Sequence, residues 1–132
     1  MTFEVSTTQA KTGIPYEQVT PADLQKKEGI GSLFYEDSDA LYESYFEGAE
    51  NDTVEHTFID IDKDGTPDRY NKTILDELGN ATTFIDNSYN GTFDSIEYSY
   101  LLEDGTKKVE YDFDADGKID DYDFSNPSKN NV

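Results

Sequence analysis

A chain of 132 residues with a modest apolar share of 34% has room for one domain and a small core. Its formal net charge of −20 leaves too few cations to grip nucleic acid or an anionic membrane surface. With no cysteine there is neither disulfide nor thiolate chemistry, while ten tyrosines and eight phenylalanines argue against a wholly disordered chain.

Residues 1–19 read as an arm in which Phe3 and Val5 alternate with polar residues, as a short edge strand would. The arm lacks the apolar stretch of a signal peptide, and no run in the chain approaches membrane-spanning length. A complete chain would then be cytoplasmic, and an excised piece extracellular. A single domain is expected over 20–124, opening on a short helix of about two turns. Thr20 serves as N-cap, Pro21 takes the first helical position and Asp23 sits where the helix dipole favours an anion. Val19 and Leu24 hold the hydrophobic-staple positions, Lys26 and Lys27 close the helix, and Gly29 or Gly31 ends it. From Ser32 to Gly48 the pattern is ambiguous: Leu41, Tyr42, Tyr45 and Phe46 suit a helix or a strand. The strand fits better, following Glu36-Asp37-Ser38-Asp39 as a decayed loop. His56, the one histidine, alternates with Val54 and Phe58 and is expected to be structural rather than catalytic.

From about residue 53 the chain repeats itself. An aspartate-rich loop, D-x-D-x-D-G-x-x-D, runs Asp60 to Asp68, recurs in a softer copy from Asp86 to Asp94, and returns from Asp112 to Asp120. The three starts are 26 residues apart each time, so the copies are in register. Apolar columns accompany them: Ile59, Ile85 and Tyr111; Pro67, Phe93 and Ile119; Tyr70, Ile96 and Tyr122. Between loops, Ile96, Tyr98, Tyr100 and Leu102 alternate as a strand, and Glu103-Asp104-Gly105-Thr106 signals a hairpin turn. By register, Arg69–Leu75 is a strand as well. The fold expected is mainly β, an antiparallel meander of hairpin repeats with calcium loops. An α+β fold with helical exits from the loops, as in an EF-hand, is the alternative. The last residues, 125–132, read as a polar, frayed tail. Four N-x-T triplets, at Asn51, Asn71, Asn80 and Asn90, are explained by composition and turns.

Oxygen-bearing side chains at loop positions 1, 3, 5 and 9, with glycine at 6, suit a hard divalent cation. The candidate ligands are Asp60, Asp62, Asp64 and Asp68 in loop 1; Asp86, Ser88, Asn90 and Asp94 in loop 2; Asp112, Asp114, Asp116 and Asp120 in loop 3. Thr66, Thr92 and Lys118, at position 7, are expected to add backbone carbonyls. Four carboxylates so close together repel unless a cation lies among them. Ca²⁺, which takes six to eight oxygens at roughly 2.3–2.6 Å, fits better than Mg²⁺, and all-oxygen loops serve zinc or copper poorly. Two or three ions are expected. Loops 1 and 3 should bind more tightly than loop 2, because they carry more charge.

The nine-residue loops resemble the calcium loops of EF-hand and dockerin proteins, of thrombospondin type 3 repeats and of integrin-type propellers. The resemblance implies a metal and its ligand positions. Counted as twelve-residue loops, position 12 falls on Asn71, Glu97 and Asp123, of which Glu97 alone is the glutamate an EF-hand uses. A strand exit would carry position 12 about 10 Å past position 9, so Asp68, Asp94 and Asp120 are expected to be the terminal ligands. No nucleophile–base set or phosphate-cradling glycine loop is present, and an enzyme is not expected. The role expected is non-catalytic calcium binding, as a buffer, sensor or calcium-stabilised module, with any protein partner open. An extracellular adhesion module and an acidic decoy imitating nucleic acid are the alternatives.

Overall fold

The computed structural model describes residues 13–49 and 51–125. Phe3, Val5 and the tail beyond Ser125 lie outside them. Within them, alternating β-branched, aromatic and polar side chains build strands, as the register argument required. In chain order these are β1 (Ile14–Pro15), β2 (Gly31–Glu36), β3 (Leu41–Ala49), β4 (Asp52–Asp60), β5 (Arg69–Leu75), β6 (Ala81–Asp86), β7 (Thr92–Phe93), β8 (Ser95–Leu101), β9 (Lys107–Asp112) and β10 (Asp121–Ser125). Eight of them form one open antiparallel sheet in the order β10-β9-β8-β6-β5-β4-β3-β2, and β1 pairs with β7. Neighbours in the large sheet therefore follow one another along the chain, save that β7 intervenes between β6 and β8, and the whole is a meander. The segment from Ser32 to Gly48 is strand throughout apart from the turn at 37–40.

The tight turns lie at one end of the sheet. In that after β5, the Asp76 N–H donates to the Asn80 carbonyl at 2.9 Å, and after β8 the Leu102 N–H donates to Thr106 at 2.8 Å. Gly79 and Gly105, at φ 93° and 86°, take the left-handed conformation these turns require. The three acidic loops and the β2–β3 turn share the opposite end. In that turn Asp37 Oδ1 accepts from the N–H of Asp39 and of Ala40, which makes it a plain Asx turn.

The helix, α1 (Pro21–Gln25), is one residue-pair shorter than two turns. Its start follows expectation: Thr20 and Asp23 form a reciprocal capping box. It stops at Lys26 as C-cap, before either glycine, and Lys27 leaves the helix to pair with Glu47 at 2.7 Å.

One face of the sheet carries the core. Leu24, Tyr45, Phe58, Tyr70 and Phe93 are buried together, with Tyr16, Val19, Ile30, Phe84 and Tyr89 packed against them. Residues 13–30 thus cross this face as a strap rather than standing off as an arm. Tyr16 stacks on Phe93 with ring centroids 4.0 Å apart. The repeat columns do not share a single core. Register sets Ile59 opposite Arg69 and Tyr70 opposite Phe58, so the first and third columns face opposite sides. Along the third column burial fades: Tyr70 and Ile96 are buried, but Tyr122 on the edge strand β10 is 60% exposed.

Candidate metal centre

Each acidic loop begins on the last residue of a strand. Asp60, Asp86 and Asp112 close β4, β6 and β9, and all three are buried. A buried carboxylate needs donors, and the loop folds back to provide them. Asp60 accepts from the N–H of Asp64 (3.3 Å) and Gly65 (2.8 Å), Asp86 from Asn90 (3.1 Å) and Gly91 (3.0 Å), and Asp112 from Asp116 (3.1 Å) and Gly117 (2.9 Å). Position 5 then accepts from the N–H at position 7: Asp64 from Thr66, Asn90 from Thr92, Asp116 from Lys118. Position 9 locks the loop. Oδ2 of Asp68, Asp94 and Asp120 accepts from the N–H of Ile61 (2.7 Å), Asn87 (2.8 Å) and Phe113 (2.7 Å). Their own N–H groups donate to the carbonyls of Ile59, Ile85 and Tyr111.

The backbone has to bend sharply to do this. Gly65, Gly91 and Gly117 lie at φ 96°, 91° and 92°, as position 6 demanded. Position 4 is left-handed as well: Lys63 at φ 58°, Tyr89 at 50° and Ala115 at 53°. None of these three side chains favours that conformation, so the sequence carries no sign of it.

The loops part company at the carboxylates. In loop 1, oxygens of Asp60, Asp62 and Asp68 all lie within 4.8 Å of one another; in loop 3 those of Asp112, Asp114 and Asp116 do. Asp64 and Asp120, expected as equal partners, fall outside these trios. Loop 2 forms no such trio among the described residues, since Ser88 and Asn90 stand where the others have aspartate. Crowding out of water, and then the carboxylates of Asp60, Asp64 and Asp68, push the Asp62 carboxyl above its usual range. Desolvation followed by Asp116 and Asp120 raises Asp114 in the same way. Asp114 Oδ1 is also shut away from water, with no hydrogen-bond donor among the described residues.

Loop 2 is built around tyrosines instead. The Tyr16 hydroxyl donates to Asp86 Oδ2 at 2.7 Å, the Tyr89 hydroxyl donates to the Val19 carbonyl, and Gln18 Nε2 donates to the Tyr89 carbonyl at 2.8 Å. Burial first, and then the bond to Asp86, raise the Tyr16 hydroxyl, so it stays protonated and keeps donating. Loop 3 also meets the strap, through the Gly13 N–H and the Asp114 carbonyl at 2.9 Å. The exits from loops 1, 2 and 3 are strands, which puts Asn71 on β5, Glu97 on β8 and Asp123 on β10.

His56 sits apart from the loops. It is buried, with Nδ1 2.6 Å from the Tyr70 hydroxyl and Nε2 2.8 Å from Glu47 Oε1. Burial pushes the imidazole below its usual range, while Glu47 pulls it the other way. Sequence reading missed Tyr16 and Tyr89 as loop partners. Their contacts span about seventy positions, and no local pattern marks a contact of that reach. Comparison of the chain with protein-family models, with curated proteins and with solved structures finds no match.

Proposed function

We propose that this is a non-catalytic calcium-binding protein in which loops 1 and 3 each hold one Ca²⁺ ion and loop 2 serves as the anchor of the strap. The observation that carries the reading is Asp114 Oδ1, a buried carboxylate oxygen with no donor among the described residues, beside the oxygens of Asp112 and Asp116. An anionic oxygen in that position calls for a cation. The donors are all hard oxygens, which suits Ca²⁺. Loop 1 supports a second ion through its own trio. The register of 26 residues and the resemblance to calcium loops support treating loops 1 and 3 as two copies of one site. In loop 2, Asp86 already receives Tyr16, Asn90 and Gly91, and two of the aspartates are gone, so an ion gains less there.

Calorimetric titration of chelator-treated protein with Ca²⁺ and with Mg²⁺ tests this. Two Ca²⁺ sites are expected, reduced to one by Asp114→Asn. Calcium at a hundredfold excess over Kd should also stabilise the fold by about 2.7 kcal/mol per site, seen as a higher melting temperature. Absence of both binding heat and a shifted melt would refute the reading.

A further inference from the structure

Among the described residues, one edge of the sheet has nothing to defend it. All six residues of β2, Gly31–Glu36, are exposed, and β2 is terminal in the strand order. Leu33, Phe34 and Tyr35 are 60%, 61% and 59% exposed. An edge strand normally carries lysine, proline or a bulge to stop it pairing with other chains. β2 has neither residue, whereas β10, at the other edge, carries Asp121 and Asp123. Every other residue of such a strand points its N–H and C=O outward, ready for another strand.

Beside this edge lies a cleft of about 360 Å³ on the core-bearing face, at the loop end of the sheet. Phe34, Leu41 and Phe58 line its floor, and Pro67 of loop 1 closes one side. Its charged groups are carboxylates: Glu36, Glu43 and Asp60. Lys63 reaches Glu36 Oε2 at 3.1 Å, and loop N–H groups satisfy Asp60. Among the described residues Glu43 has no cation beside it, and its carboxylate accepts from the Tyr45 hydroxyl. An aromatic floor with a carboxylate beside it receives an ammonium or guanidinium group well. The net charge of −20 draws such groups in and repels a second copy of the chain.

We propose that β2 and this cleft form a docking site for an extended basic segment of a partner protein, which adds as a ninth strand and seats one lysine or arginine beside Glu43. Strand addition supplies main-chain hydrogen bonds, and the cleft supplies side-chain selection. The site rests on the sheet edge and does not require the calcium reading.

The test uses the full chain in calcium and a short rhodamine-labelled peptide of alternating lysine and valine, followed by fluorescence anisotropy. Saturable binding is expected, weakened about tenfold by Glu43→Gln and by Phe34→Ala, and unchanged by Glu103→Gln in the turn at the far end of the sheet. Phe34 is exposed, so its replacement leaves the fold standing. The same peptide N-methylated on alternate residues should bind at least tenfold more weakly. Three results would overturn the proposal. Equal loss from Glu103→Gln would mean diffuse charge attraction, and indifference to N-methylation would remove the strand pairing. Sedimentation showing a dimer that Phe34→Ala dissolves would give the edge to a second copy.

Discussion

Tyr16 shows how much a single hydroxyl decides in this molecule. It donates to a buried carboxylate that would otherwise depend on loop N–H groups alone. Tyr16→Phe leaves Asp86 one donor short and is expected to destabilise the fold by about 1–3 kcal/mol in urea unfolding. The number of calcium ions bound should not change, because the trios of loops 1 and 3 are untouched. At His56 the effect is on pH. Burial holds its folded value below the ordinary 6.5, so the unfolded chain takes up a proton that the folded one refuses. The neutral ring's contribution is complete above about pH 6.5 and is lost as pH falls from there towards the lower folded value. Thermal melts from about pH 8 to about pH 5 should therefore fall more steeply for the native chain than for His56→Gln.

Among the elements, α1 is the easiest to predict and the easiest to unsettle. Its five residues are held by the Thr20–Asp23 capping box. Thr20→Ala should lower stability by about 1 kcal/mol, read from the same urea titrations. The loop exits make a sharper prediction. Glu97 lies on β8 opposite Thr83 and Tyr111, where the chain runs on as a strand instead of curling back to loop 2. Glu97→Gln should leave calcium affinity nearly unchanged, whereas Asp68→Asn should weaken loop 1 about tenfold or more; calorimetry distinguishes them. These elements were legible because their signals are local: alternation for strands, Thr-Pro-x-Asp for the helix, Asp and Gly spacing for the loops. Three things were not. The left-handed residues at position 4 are Lys, Tyr and Ala, which carry no such mark. The trio membership of Asp68 and Asp116 depends on side-chain rotamers. The strap's partners lie on strands far along the chain.

Taken together, the described residues form one large sheet with its core on one face, and that core is thickest where the strap, with the helix and the β1–β7 pair, covers it. Leu24, 1% exposed, is the strap's buried anchor against Tyr45 and Phe58. Leu24→Ala should cost about 2–5 kcal/mol by calorimetric melting, well above the effect of removing an exposed leucine such as Leu78. The uncovered end keeps Tyr122 and Phe124 in solvent, with the Lys108 amino group 5.6 and 5.8 Å from their ring centroids. That end of the sheet should exchange its amide hydrogens first.

The strap also governs how the molecule would come apart under load. A meander pulled from its β10 edge opens like a zip, strand after strand, with each break weak because few bonds carry the force at once. Here Gly13 holds loop 3, Tyr16 holds loop 2 and Gln25 reaches Tyr45 on β3. Tension applied between residues 13 and 125 would first peel β10 and then meet the strap lying across several strands, where the remaining bonds are loaded together. A single-molecule trace should show one small early yield followed by one large rupture. Tyr16→Phe should lower the second and leave the first where it was.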